Sequence, residues 1–387
     1  MRPAGIGLAG PQGHTKHLYH YRPPSMETAQ SLKTLTSLPL QLRTHADKVI
    51  LSLVSLGLFI IALQIMKLGA RPLEPLIHEH LKVHSLWDGL GFGWITASAI
   101  LSGSPVAAIA VTLYDGRAIS RFAAFGMING SRIGAAFMVL LVGYLYSLRG
   151  LRSRDGIGVG LLSALVAQSV HFPALLLGSV LLRLGLFERL PVESMEDVTS
   201  LMDRALKPLL DLLTRLLPDV ALFPLGVLIM LLCFRLFDRA LPEVSLEDAR
   251  FGPDNQRLSN PWLMFGLGLG ITFLTLSVSV SLGLLVPLAA KQIVNREQLV
   301  PYIMGAGIST FADTFVAAVI LQDPKTITLV AVAILTITLI SMTYILVAFR
   351  AYERALLRFT DLLLADRWAL RIYLAAFVLI PFALILT

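Results

Sequence analysis

The chain has 387 residues, of which 56% are hydrophobic and 15% charged, with a formal net charge of +7. A soluble domain of this length could not bury so much apolar surface, and a single cysteine leaves no disulfide framework and no cysteine metal site. The dispersed basic residues flank apolar runs, which favours loops beside a membrane over a nucleic-acid-binding surface.

Residues 1–47 are rich in Pro, Gly, Ser and Thr and contain scattered basic residues. This composition predicts a disordered cytoplasmic tail. His14, His17 and His20 are three residues apart, but isolated histidines in such a tail predict no metal site.

Apolar stretches follow the tail, and most are long enough to cross a ~30 Å bilayer core, which takes about 20 helical residues. The stretches are Val49–Met66, Gly89–Leu113, Met127–Leu148, Ile157–Leu182, Val220–Phe237, Trp262–Leu288, Tyr302–Leu321, Thr326–Val347 and Ala369–Leu386.

Two of these stretches should be broken or re-entrant near mid-membrane. Gly89–Leu113 contains Ser102-Gly103-Ser104-Pro105, and Trp262–Leu288 contains a glycine-rich start, three serines and Pro287. Glycine weakens a helix and proline removes a backbone donor, so neither segment should form one regular span.

Glu193–Pro218 and Arg350–Trp368 alternate apolar and charged residues at helical spacing, which predicts amphipathic helices at the membrane surface. The chain thus divides into a first membrane repeat (48–185), an amphipathic connector (186–218) and a second membrane repeat (219–387). The tail, Arg149–Arg154 and Arg350–Arg371 are predicted to be cytoplasmic because they carry clustered basic residues.

The two halves repeat each other at an offset of 175 residues. Residues 87–133 align without gaps to residues 262–308, with twelve identities in 47 positions. The identities include Trp87 with Trp262, Ser102 with Ser277 and Arg121 with Arg296, so they are not limited to aliphatic residues. Duplicated halves that each contain a broken, polar helix are typical of secondary transporters, which predicts an all-α polytopic protein with two inverted-topology repeats.

The polar motifs in these breaks resemble those of the sodium/phosphate cotransporter family (the type II group and its bacterial relatives). Leu101-Ser102-Gly103-Ser104 and Leu276-Ser277-Val278-Ser279 resemble its repeated Gln-Ser-Ser-Ser motif. Gly130–Gly134 and Gly305–Thr310 resemble its Gly-Ala-Asn-Ile-Gly-Thr motif. The resemblance covers about residues 50–345 and implies a phosphate site at mid-membrane with sodium as the coupling ion.

The chain departs from that family at residues that contribute to its sodium and phosphate sites. Leucine replaces the motif glutamine in both halves, and the motif asparagine is Arg132 in one half and Gly307 in the other. An arginine there could bind the anion more tightly or stand in for a sodium ion.

The candidate substrate-binding residues are small or basic residues in or near the breaks: Ser102, Gly103, Ser104, Arg132, Ser277, Ser279 and Ser281. The small residues could instead serve only close helix packing. The guanidinium of Arg132 matches the geometry of an oxyanion, although an arginine near a helix end could also extend to the lipid headgroups.

Thr310 and Asp313 are the candidate ion-binding residues in the second half. Asp313 could bind a cation, accept a coupling proton, pair with Arg132, or be an interfacial carboxylate.

No enzyme motif occurs: there is no Gly-x-Ser-x-Gly, no phosphate-binding Gly-x-x-x-x-Gly-Lys-Ser/Thr and no His-Glu-x-x-His. The leading hypothesis is therefore a secondary active transporter of phosphate or a related small oxyanion in the plasma membrane (a bacterial inner membrane). Its partners would be the anion, a coupling sodium ion and the lipid bilayer, with no other cofactor and no nucleic acid.

The alternative is a transport-incompetent relative that acts as a membrane regulator or assembly partner. A membrane-embedded enzyme or lipid-handling protein is a third interpretation, and the sequence shows no paired acid and base for it.

Overall fold

The computed structural model describes residues 45–77, 79, 83–148, 153–185, 187, 196–240, 260–283, 285–290 and 294–386. These residues form helices and the turns that join them, and none of them lies in a β-strand. Nearly all of the predicted tail, including His14, His17 and His20, lies outside the described residues, as do residues 149–152 of the basic loop.

Fifteen helices are numbered here along the described part of the chain. They are α1 (His45–Ala70), α2 (Leu86–Ile100), α3 (Ser104–Asp115), α4 (Arg121–Leu148), α5 (Ser153–Leu184), α6 (Glu196–Leu216), α7 (Asp219–Ala240), α8 (Pro261–Thr275), α9 (Val278–Gly283), α10 (Leu285–Ala290), α11 (Arg296–Ser309), α12 (Phe311–Leu321), α13 (Pro324–Val347), α14 (Phe349–Ala365) and α15 (Arg367–Leu386). Two short helical turns extend α1 to Leu76.

Seven segments of the described chain are long and apolar enough to cross a membrane. They are Asp47–Leu76, Arg121–Leu145, Gly156–Leu184, Asp219–Ala240, Arg296–Leu321, Pro324–Val347 and Arg367–Leu386. The described chain is therefore all-α with several membrane-spanning helices, as its composition predicts.

Both stretches expected to be broken are interrupted. Helix α2 ends before Leu101, which has a left-handed backbone (φ 60°), and α3 begins at Ser104. Helix α8 ends before Leu276, also left-handed (φ 46°), and α9 begins at Val278. Leucine rarely adopts this conformation, so the surrounding packing must stabilise each turn.

The first interrupted segment turns back on itself. The hydroxyl of Ser120, just after α3, donates a hydrogen bond to the carbonyl of His84, just before α2, at 3.0 Å. Helices α2 and α3 therefore form a hairpin whose two ends lie together, with its tip at residues 101–103.

The second segment folds in a related way. Thr272 of α8 donates to Ser281 of α9 at 2.6 Å, and Ser281 shares a hydrogen bond with the Tyr302 hydroxyl of α11 at 2.9 Å. Helix α9 thus runs back beside α8, and the second hairpin consists of α8, α9 and α10.

The offset of the sequence repeat also relates the helix boundaries. Helices α2 and α8 begin and end at positions 175 residues apart, and so do the starts of α4 and α11. Gly93 packs against the carbonyl of Met127, and Gly268, at the equivalent position, packs against the carbonyl of Tyr302. Each hairpin is therefore docked on the following helix by the same backbone contact.

Two ion pairs mark opposite ends of the bundle. The Lys67 amine lies 3.0 Å from the Asp115 carboxylate at the end of α3, and donates to the carbonyl of Leu321 at the end of α12. The Arg296 guanidinium, at the start of α11, lies 3.0 Å from Asp361 of α14. Because α11 and α12 together form one spanning segment, the Lys67 end and the Arg296 end are on opposite sides of it.

Candidate functional site

Arg132 lies in the middle of α4 and is only 6% exposed. Gly130 and Gly134, on either side of it, pack against the backbone of α2 at Leu90 and Trp94. This close glycine contact fixes one face of α4 against the first hairpin. The Arg132 side chain contacts the second half of the chain instead, on α12.

The first turn of α12 surrounds the Arg132 guanidinium with three side chains. Its Nη2 lies 3.3 Å from Asp313 Oδ1 and donates to the hydroxyl of Thr314. The guanidinium carbon lies 4.8 Å from the centroid of the Phe311 ring. The Thr314 hydroxyl in turn donates to Asp313 Oδ1 at 2.9 Å, so carboxylate, hydroxyl and aromatic face form one connected cage.

This contact realises one of the alternatives that the sequence left open, the pairing of Arg132 with Asp313. Both side chains are buried, and the two residues are 181 positions apart. A buried charge without a partner is costly in a membrane-spanning helix, so the pairing explains how both ions are tolerated at this depth.

The pair leaves some hydrogen-bonding capacity unused. Arg132 Nε and Asp313 Oδ2 are buried and have no hydrogen-bond partner among the described residues, and the same holds for the hydroxyl of Ser163 on α5. Buried polar atoms of this kind usually bind something, because an unmade hydrogen bond costs about 1–3 kcal/mol.

A cavity of about 40 Å³ adjoins Arg132 between the two halves. By volume it has room for a small number of water molecules. The residues that line this cavity include two pairs of positions that are equivalent in the repeat. These pairs are Arg132 with Gly307 and Ala135 with Thr310. The cavity therefore lies where the two halves of the chain meet, and Arg132 supplies its positive charge.

His171 of α5 also lines this cavity and is absent from the sequence-based site. Its Nδ1 lies 3.3 Å from Asn129 Oδ1, and its ring stacks on Phe311 with centroids 6.0 Å apart. The available signal was a single histidine inside the apolar stretch Ile157–Leu182, because ionisable residues in such stretches are rare and usually functional.

The predicted residues of the first hairpin lie at its tip and not in the cavity lining. Gly103 packs against the carbonyl of Ser131, the residue that precedes Arg132 in α4. Ser104 is buried at the first residue of α3, and Ser102 lies in the turn before it. None of these three is among the described residues that line the cavity.

The serines of the second hairpin hydrogen-bond within their own half. Ser281 contacts Thr272 and Tyr302, and Ser277 hydrogen-bonds with Asp238 at the end of α7. The side chain of Ser279 lies outside the described residues.

Of the candidate substrate-binding and ion-binding residues, Arg132 and Thr310 line the cavity, and Asp313 joins them through Arg132. The Thr310 hydroxyl donates to the carbonyl of Gly307 at 2.9 Å. Within the described chain, no group of three or more His, Cys, Asp or Glu side chains is arranged to hold a metal ion.

Comparison with protein-family models, with curated proteins and with solved structures finds no match for this chain.

Proposed function

We propose that the protein is a secondary transporter of a small oxyanion such as phosphate, which binds beside Arg132 between the two halves. The observation that carries this proposal is the cavity lined by equivalent positions of both repeats, with one arginine as its cation. In transporters built from repeats, substrates bind at the repeat interface near mid-membrane.

Arg132 is the residue expected to bind the anion. Its fork of N–H donors matches the oxygens of phosphate or sulfate, and its unpartnered Nε is available for a further hydrogen bond. The hydroxyl of Ser163, which has no hydrogen-bond partner among the described residues, belongs to a residue that lines the same space and would donate a further hydrogen bond. The cavity is small, so we expect the halves to separate before an oxyanion enters from either side.

We further propose that the two halves have inverted topology. The first hairpin has its open ends at the Lys67 end, because Asp115 at the end of α3 pairs with Lys67. The second hairpin is followed directly by α11, whose first residue is Arg296, at the opposite end. Hairpins that enter from opposite sides support alternating access by rocking of one half against the other.

We place the Arg296 end in the cytoplasm of a plasma membrane. Helix α1 begins at that end, since it runs toward Lys67, and α5 begins there too, because its Gly158 lies beside the Arg296 guanidinium. In the sequence, the basic segment Arg149–Arg154 comes between α4 and the first turn of α5. Helix α14 also lies at that end, because its Asp361 pairs with Arg296, and it contains Arg350, Arg354 and Arg358. An excess of arginine on one side favours the cytoplasmic side and a cytoplasmic N-terminus.

The test is uptake of labelled phosphate into proteoliposomes, with sulfate and arsenate as competitors, in the presence and absence of a sodium gradient. We expect Arg132→Ala to abolish uptake, because it removes the cavity cation. Ser102→Ala should also abolish it if the first hairpin tip holds the substrate. Arg354→Ala, which removes an exposed arginine of α14, should leave uptake unchanged.

Unchanged uptake by Arg132→Ala would reject this site. Absence of uptake of any oxyanion by the folded wild-type protein would reject transport and favour a regulatory or assembly role.

A further inference from the structure

The cage around the Arg132 guanidinium has the composition of a cation-binding site. Asp313 contributes a carboxylate oxygen, Thr314 a hydroxyl oxygen and Phe311 the face of its ring. All three belong to the first turn of α12, and each is a group that attracts cations. The occupant comes from the other half of the chain.

The equivalent position in the second half has no side chain that could act as a cation. Gly307 corresponds to Arg132 and has no side chain, and a Cβ built there would contact only the end of Ile337 at 3.8 Å. The scaffold thus accepts a glycine at this position. An arginine occurs at this position in the first half only, and its guanidinium extends to the second half of the chain.

We propose that the first turn of α12 is a cation-binding site and that Arg132 fills it permanently as a tethered cation. A covalently attached guanidinium acts at high effective concentration, so a free cation at ordinary concentration cannot displace it. A carboxylate at this depth requires a positive partner, and here the chain provides one.

One consequence rests on the proposed transport function. If the site belongs to the anion-binding centre, the protein carries the counter-charge that a co-transported cation would otherwise bring. Anion uptake by the wild-type protein is then independent of sodium. Removal of the arginine opens the site to free cations, so the thermal stability of the variant depends on them.

The first experiment measures thermal stability and needs no transport. Purified wild-type protein, Arg132→Gly, and Arg132→Gly with Asp313→Asn are unfolded in choline buffer, with and without millimolar sodium, guanidinium or ethylguanidinium. We expect Arg132→Gly to unfold at a lower temperature, and a guanidinium-type ion to recover at least half of that loss. The wild type and the double variant should not respond.

A response of the double variant equal to that of Arg132→Gly would overturn the proposal, because the ions would then act elsewhere than at Asp313. So would an Arg132→Gly protein that folds and responds no more than the wild type. If Arg132→Gly does not fold, Arg132→Gln keeps much of the side-chain volume without its charge. That variant must then show the cation response for the proposal to stand.

The second experiment separates this inference from the proposed function. Wild-type phosphate uptake is compared in sodium and in choline, and equal rates are expected. A strict sodium requirement of the wild type would overturn the tethered-cation role in transport. If no oxyanion is taken up at all, the proposed function fails, while the stability rescue still decides whether the cation site exists.

Discussion

The Arg132–Asp313 pair dominates the chemistry of the protein at the residue scale. Both ions are removed from water, which costs several kcal/mol for each, and their attraction offsets this only while both are present. Thr314 and the Phe311 ring add further contacts to the same guanidinium. We therefore expect the contribution of each residue to the free energy of unfolding to depend strongly on the presence of the other.

Arg132→Ala should lower the free energy of unfolding by about 3–5 kcal/mol, because it leaves Asp313 buried without its partner. The double variant Arg132→Ala with Asp313→Ala should lose less than either single variant, since it removes both charges. Equilibrium unfolding in detergent micelles measures this double-mutant cycle.

The exposed pair between Arg296 and Asp361 is the matched control for this cycle. Its atoms are 3.0 Å apart, but the Asp361 side chain is 69% exposed. Exposed pairs contribute about 0–1 kcal/mol, so the coupling between these two residues should be small. Similar coupling in both pairs would contradict the assignment of Arg132 and Asp313 as a buried site.

At the scale of elements, glycines set how each hairpin docks. Gly93 and Gly268 lie against the carbonyls of Met127 and Tyr302, and a Cβ at either position would overlap that oxygen. The contact brings helix backbones close together, as small residues commonly do between membrane helices. Its recurrence at equivalent positions indicates that both hairpins use the same packing.

Gly268→Ala should destabilise the second hairpin by about 1–3 kcal/mol or more, because the added methyl must displace the backbone of α11. Gly266, two residues earlier in α8, is the control, since a methyl group added there would meet no heavy atom within 4 Å. Gly266→Ala should be neutral or stabilising by up to about 1 kcal/mol through helix propensity. Thermal unfolding of the two variants in the same detergent compares them directly, and an equal loss in both would refute the close contact.

At the scale of the whole molecule, the proposed inversion predicts which loops face which side of the membrane. Arg117 follows the first hairpin at the Lys67 end, and Glu297 follows the second at the Arg296 end, and both are exposed. The chain has one cysteine, Cys233, which is buried and donates to the carbonyl of Ser55. Single reporter cysteines can therefore be detected without interference from other thiols once Cys233 is replaced.

Arg117→Cys and Glu297→Cys, each combined with Cys233→Ser, should react with a membrane-impermeant maleimide from opposite sides. With the Arg296 end in the cytoplasm, intact cells should label Arg117→Cys alone, and inside-out vesicles should label Glu297→Cys alone. Labelling of both from the same side would show that the halves are not inverted.

Local features of the sequence predict most of the elements, although not the division of Tyr302–Leu321 between α11 and α12. The apolar runs indicate the spanning helices because about 20 such residues are needed to cross a bilayer core. The glycines and prolines of Gly89–Leu113 and Trp262–Leu288 predict an interruption in each stretch, because they weaken helices, and the structure has these interruptions at Leu101 and Leu276. The offset between Trp87 and Trp262 is also the offset between the helix boundaries of the two halves, because similar local sequences form similar helices.

Long-range contacts could not be derived in this way. The sequence marks Arg132 and Asp313 as anomalous charges, but only the folded structure brings the Arg132 side chain to Asp313 across 181 positions. The fold also brings His171 of α5 to Asn129 of α4, and Ser281 of α9 to Tyr302 of α11 within the second half. The spacing of residues along the sequence determines which face of a helix a side chain occupies. The neighbours of that face depend on how all the helices pack, and only the tertiary structure decides this.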